Sequence, residues 1–167
     1  MKSLLLVTSP PACGKTFVSK ELAKALNPIV YLDKDTLIGL SKQIFVVAGE
    51  EYNRSSDFFE EHIRNYEYDV VLDLALEALD YCDTALVNAP FTREVRDKEY
   101  MDNLRAKLAE RDVELVVIWV ETDPEVCWIW TGREQLWKTQ RSYNDQQAGS
   151  EETAKNHISG SITIDTE

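Results

Sequence analysis

Ser9-Pro10-Pro11-Ala12-Cys13-Gly14-Lys15-Thr16 decides how this chain is read. Ahead of it, Ser3-Leu4-Leu5-Leu6-Val7-Thr8 is a strand-length apolar run. Behind it, Val18, Leu22, Ala25 and Leu26 recur at helical spacing. Strand, loop and helix with Gly-Lys-Thr at the hinge is the setting a phosphate-binding loop requires. There the backbone N–H groups wrap an anion, and the helix aims the positive end of its dipole at it. Lys15 supplies a mobile positive charge for outer phosphates, and the Thr16 hydroxyl is a magnesium ligand candidate. All eight residues from Ser9 to Thr16 are nucleotide-binding candidates. Ser9 stands where the pattern asks for glycine, which makes a tight turn without the conformational cost a serine carries.

Moving outward, Asn27-Pro28 ends the first helix, and Ile29-Val30-Tyr31-Leu32 is a second short strand. It runs into Asp33-Lys34-Asp35. Carboxylates at the C-terminal end of a strand lie where open α/β sheets place their ligands. Phosphoryl chemistry needs a base for the acceptor hydroxyl and a carboxylate for the metal. Asp35 is the candidate base. Asp33 is the candidate for magnesium or for placing Asp35. Asp83–Ala89 reads as the third strand, and Val113–Val120 as a continuously apolar fourth. The third strand carries Asn88 where many P-loop ATPases have an aspartate, so Asp33-Lys34-Asp35 is the nearest supply of metal carboxylate. A fifth strand is expected over Ser161–Asp165.

The helices read as follows. Residues 36–68 form two helical pieces with a polar loop near Gly49–Asp57 between them. Asp69–Cys82 is a helix with Val71, Leu74, Ala75, Ala78, Leu79 and Cys82 on one side. Arg93–Arg111 is a charged helix with Tyr100, Met101, Leu104 and Leu108 inward. Asp123-Pro124 starts a further one. Strands alternating with helices make a three-layer α/β/α fold. Its parallel, roughly five-stranded sheet is covered on both faces by right-handed crossovers. Ser9–Thr16, Asp33–Asp35 and Asn88–Arg93 then gather at one edge.

At 167 residues the chain is expected to be a single domain, residues 1–167, with a full core. No apolar run approaches the roughly 18 residues of a membrane span, and no signal peptide is read at the start. Three scattered cysteines (Cys13, Cys82, Cys127) show no metal spacing and are expected as reduced thiols in a cytoplasmic protein. The net charge of −12 speaks against binding to nucleic acid. His62 and His157 have no partner at ligand spacing, and Trp119 is expected in the core. Arg133, Lys138 and Arg141 lie in a polar stretch, residues 128–149, that reads as a lid, with Arg133 the catalytic candidate. Arg54, Asn88 and Arg93 are acceptor-site candidates, and residues 36–68 would shape that site. Asp57 and Glu61 are read as surface.

The order of these pieces resembles the small P-loop kinases. It runs from the phosphate loop to Leu-Asp-Lys-Asp-Thr-Leu at 32–37. Val-Asn-Ala-Pro-Phe-Thr-Arg-Glu follows at 87–94, and Glu-Thr-Asp-Pro-Glu-Val-Cys at 121–127. That group includes polynucleotide kinase, zeta-toxin-type kinases, chloramphenicol phosphotransferase and shikimate and gluconate kinases. Bacterial AAA-family ATP-binding proteins of the same type are the nearest match. The resemblance spans about residues 1–130. It implies strand order 2-3-1-4-5, ATP with Mg2+, and phosphoryl transfer to a hydroxyl of a small-molecule acceptor. It gives Asp35 the part of general base, Lys15 that of phosphate lysine and Thr16 that of magnesium hydroxyl. The sequence departs from the group at Ser9 and in Trp128–Glu134, which lacks the two-arginine lid pattern. A shortened member is expected, because the chain stops where a closing helix would follow. Two rival readings remain: a nucleotide-binding module or weak ATPase, and a 5′-hydroxyl polynucleotide kinase.

Overall fold

The computed structural model describes residues 1–10, 13–122 and 160–164. Pro11, Ala12, Cys127, His157, Arg133 and the whole 128–149 lid segment, with Lys138 and Arg141, lie outside the described residues, as does the helix start at Asp123. Five strands form one sheet: β1 (Lys2–Thr8), β2 (Val30–Asp33), β3 (Thr84–Asn88), β4 (Val113–Thr122) and β5 (Gly160–Ile164). Their order is β2-β3-β1-β4-β5, and every neighbouring pair is parallel. This is the order the resemblance implies.

The apolar run of β1 explains its central place. A strand turns successive side chains to opposite faces, so a strand covered on both sides must be apolar throughout. Leu4 and Leu6 join one core with Val71, Ala75, Leu104 and Leu108. Leu5 and Val7 join a second core on the other face, with Val18 and Leu22 packed against it. The helices supplying those residues are α1 (Lys15–Ala25), α4 (Asn65–Ala78) and α5 (Lys98–Ala109). Each fully buried leucine contributes about 1.5–3 kcal/mol, and Leu4 and Leu6 are both 0% exposed.

Several elements differ from the expectation. Val18 and Leu22 face inward on α1, but Ala25 and Leu26 are exposed, and Leu26 already occupies the C-cap beyond the last turn. The insert has the expected two pieces. Helix α2 (Ile38–Ala48) stops at Gly49, whose φ of 73° gives the left-handed C-cap that glycine adopts without strain. The second piece begins with the short α3 (Asp57–Phe59), capped by Ser56. It then passes through a π-helical turn over Glu60–Arg64 into α4 without a break. Ile63, Glu67, Val71, Ala75 and Leu79, spaced by four, form one buried stripe along that run. Leu74 is exposed, while Tyr68 and Leu72 take buried positions. The insert has a small core of its own, Phe45, Phe59 and Ile63.

Arg93–Arg111 is also divided. A 3-10 turn over Glu94–Arg96 precedes α5, because Asp97 caps the helix by accepting from the Tyr100 N–H at 3.1 Å. Among the described residues no helix is long and apolar enough to cross a membrane.

Candidate nucleotide and acceptor site

The loop after β1 is set by backbone geometry. Gly14 has φ 73° and is the N-cap of α1, a left-handed conformation that glycine adopts freely. Ser9 is buried, and its Oγ donates to the Pro10 carbonyl at 2.7 Å. Among the described non-glycine residues only Asp112 has a positive φ. Ser9 therefore holds the position of the motif's glycine without a glycine-only conformation. The first turn of α1 contains no acidic residue, so nothing there opposes an anion at the helix's positive end.

Sheet register brings the chemistry together. Asn88 is level with Asp33 of β2 on one side and with Val7 of β1 on the other. Asn88 is 1% exposed, and its side chain bonds to β2 on one side and to the loop and helix that follow β1 on the other. Its Oδ1 accepts from Lys15 Nζ at 2.7 Å and from Ser19 Oγ at 3.2 Å. Its Nδ2 lies 2.9 Å from Asp33 Oδ2, 3.3 Å from Thr16 Oγ1 and 3.3 Å from the Tyr31 hydroxyl. Tyr31 donates to Asp33 Oδ2 at 2.8 Å, and the Asp35 N–H donates to Asp33 Oδ1 at 3.0 Å.

These contacts set the charges. Burial pushes Asp33 toward its neutral form, yet donors from Asp35, Tyr31 and Asn88, with the Lys15 charge, leave its carboxyl below the usual range. Burial lowers Lys15, and Asp33 and Asp35 pull partly the other way. Burial together with the bond to Asp33 raises the Tyr31 phenol, which stays a donor. Asp33 is thus an ionised anchor surrounded by donors. Asp35 presents a largely exposed carboxylate, with Lys34 Nζ at 3.5 Å.

Lys34 turns the other way, into the protein. It is 3% exposed and donates to Glu67 Oε2 at 2.9 Å. Arg54 grips both oxygens of the same carboxylate at 2.8 and 2.7 Å, and Ser41 donates to it as well. Burial alone would raise Glu67; the Arg54, Ser41 and Lys34 donors overcome it and bring the group down to about 2. A cleft of about 380 Å³ opens beside this cluster, with Arg54, Phe59, Glu60, Arg64 and Arg93 on its walls. Arg93 forks onto Glu60 at 2.7 and 3.2 Å, and Arg64 reaches Glu94 at 2.7 Å.

The structure therefore brings Lys15, Thr16 and Asp33 into one hydrogen-bonded group with Asn88, with Asp35 adjoining it. Arg54 and Arg93 lie on the neighbouring cleft. Asn88, expected at the acceptor, instead faces the phosphate loop. Asp57 and Glu61 are exposed. Sequence reasoning passed over Tyr31, Ser19 and Glu67, although each left a signal. Tyr31 shares a strand face with Asp33 at i, i+2, and Ser19 is one helical turn beyond Lys15. Glu67 is the polar member of an apolar stripe spaced by four.

A family model described as an AAA domain matches residues 4–156. The chain belongs to the AAA-domain family. No curated protein matches this member. Among solved structures, the shikimate kinase of Acinetobacter baumannii in complex with shikimate superposes with TM-score 0.56 at 16% identity, covering 100% of this chain and 86% of that one. A gluconokinase from Sinorhizobium meliloti 1021 gives TM-score 0.54 at 15% identity, with 99% and 84% covered. At these identities the likeness is one of fold.

Thr16 and Asp33, both within reach of the Asn88 amide, offer a hydroxyl and an ionised carboxylate, the hard oxygen donors that suit Mg2+. Among the described residues no cluster of three or more His, Cys, Asp or Glu would hold a metal by itself.

Proposed function

We propose that this AAA-domain protein is a kinase that transfers the γ-phosphoryl group of ATP, taken with Mg2+, to a hydroxyl of a small molecule. The observation that carries the reading is the Asn88 side chain. It ties the phosphate-loop Lys15 and Thr16 to the Asp33 carboxylate, so the parts that would hold a nucleotide and the segment that would meet an acceptor are one unit. Bound Mg2+, held through Thr16 and Asp33, would offset phosphate charge. Lys15 would steady the outer phosphates. Asp35 takes the acceptor hydroxyl's proton as its oxygen bonds to the γ-phosphorus; the bond from that phosphorus to the β,γ-bridging oxygen breaks, and ADP leaves with the electron pair. Arg133 would supply lid charge to the moving phosphoryl. The acceptor would enter through the cleft that Lys34 lines, between the helical insert and the loop after β3.

The test is ADP formation from ATP and Mg2+ across a panel of polyols, hydroxy acids and nucleosides. An acceptor that stimulates turnover is expected. Lys15→Ala should lower that turnover by about 100-fold or more and weaken ATP binding. Asp35→Asn should lose turnover while ATP affinity stays. Unchanged turnover in Lys15→Ala would overturn the reading. ADP formation indifferent to every acceptor would favour the weak ATPase.

A further inference from the structure

Helix α2 is apolar on more sides than it buries. Of its exposed side chains only Lys42 and Gln43 are polar. Leu40 is 63% exposed and Val47 is 81% exposed, with Ile44 between them at helical spacing. A helix of that composition is ordinarily buried. Helix α4 continues the face, where Tyr66, Val70 and Leu74, spaced by four, are exposed as well. Ser41 of α2 meets Glu67 of α4, and Phe45, one turn on, packs with Phe59 and Ile63, so the two helices run antiparallel.

A groove of about 110 Å³ lies along their seam, walled by Leu37, Leu40, Ile44, Tyr66 and Val70. Its floor makes no polar demand, because Glu67 already accepts from Lys34, Arg54 and Ser41. The groove therefore takes an apolar knob of about one aliphatic side chain.

The rim decides what kind of occupant fits. Asp69, Asp73 and Glu77 are also spaced by four and run beside the line of Tyr66, Val70 and Leu74. Helix α4 carries no lysine or arginine, and α2 carries only Lys42, which lies over the Tyr52 ring. An apolar line flanked by an acidic one complements a helix with an apolar stripe and a basic flank. A second copy of the chain fits worse, since it brings the same acidic line and another net charge of −12.

We propose that the α2–α4 face is a docking surface for a basic amphipathic helix of a partner protein. One apolar side chain of that helix fills the groove, and its lysines or arginines meet Asp69, Asp73 and Glu77. The surface does not rest on the kinase reading, because no phosphate-loop residue lines it.

The experiment is fluorescence anisotropy of a labelled helical peptide of about 18 residues, or five turns, titrated with the full chain. The peptide carries leucine at every third or fourth position and lysine along one flank. One control has glutamate for lysine, and another keeps the composition but scrambles the stripe. The lysine peptide should bind, the glutamate peptide should not, and the scrambled one should bind at least about tenfold more weakly. Leu40→Gln should weaken the lysine peptide about tenfold. Asp69→Asn with Asp73→Asn should weaken it about threefold and flatten its salt dependence. Both variants should melt with the parent, because the changed side chains are exposed. A lysine peptide that fails to bind, a control that binds as well, or unchanged binding in either variant overturns the proposal. Sedimentation of the parent alone should show a monomer; a dimer that Leu40→Gln splits would give the face to a second copy and overturn it too.

Discussion

Asn88 organises the site at the scale of a single residue. An amide is donor and acceptor at once, so one side chain accepts from Lys15 and Ser19 while donating to Asp33. An aspartate there would accept from Lys15 but repel Asp33. The sequence pairs Asn88 with a carboxylate on the next strand, and the geometry gives the reason. Replacing Asn88 with alanine leaves buried Ser19 without that acceptor and takes one donor from Asp33. Asn88→Ala is expected to cost about 1–3 kcal/mol in thermal or denaturant unfolding, and to weaken ATP binding in calorimetry. A variant as stable as the parent would show that the hub is dispensable. Lys15 and Thr16 were legible from the motif, because a phosphate loop uses residue types local in sequence. Tyr31, Ser19 and Asn88 needed the register.

Among the elements, the helical insert is tied to the Asp33–Asp35 segment by one carboxylate. Glu67 of α4 receives Lys34 from the turn after β2, Arg54 from the loop and Ser41 from α2. The group titrates at about 2 in the fold, against an ordinary value near 4.3 when unfolded. A depressed carboxyl contributes stability that is complete above the unfolded value and is lost as pH falls through the folded one. Glu67 should therefore contribute on the order of 2–3 kcal/mol above about pH 5, fading between about pH 4 and pH 2. Asp33, also held down, acts with the same sign. In Glu67→Gln, stability at pH 7 should fall by about 3–5 kcal/mol because Lys34 is left buried without its carboxylate. The acid limb of the unfolding curve should flatten. Urea unfolding from pH 7 to pH 2.5 checks both, and parallel curves for variant and parent would refute the assignment. The sequence showed the insert's two helices and the polar loop. It hid the unbroken run from Asp57 to Ala78, because Glu67 reads as a polar break in the stripe until its partners from distant segments are seen.

For the whole molecule, charge and topology act separately. With a net charge of −12 the chain repels polyanions. At near-physiological salt a single-stranded oligonucleotide should show no binding by fluorescence anisotropy; salt-sensitive binding there would revive the polynucleotide kinase reading. The sequence by itself determined the alternation of strands and helices, the parallel sheet and the phosphate loop. Apolar periodicity and the Gly-Lys-Thr hinge are local patterns, and β1, apolar on both faces, has few other places to go. Only the tertiary structure decided that Asn88 serves the phosphate loop, that Lys34 and Arg54 share Glu67, and that Arg93 forks onto Glu60. Each of those contacts joins segments 13 to 73 residues apart. Such pairings depend on strand register and helix docking, and a buried charge is stable only where folding brings its partner to it.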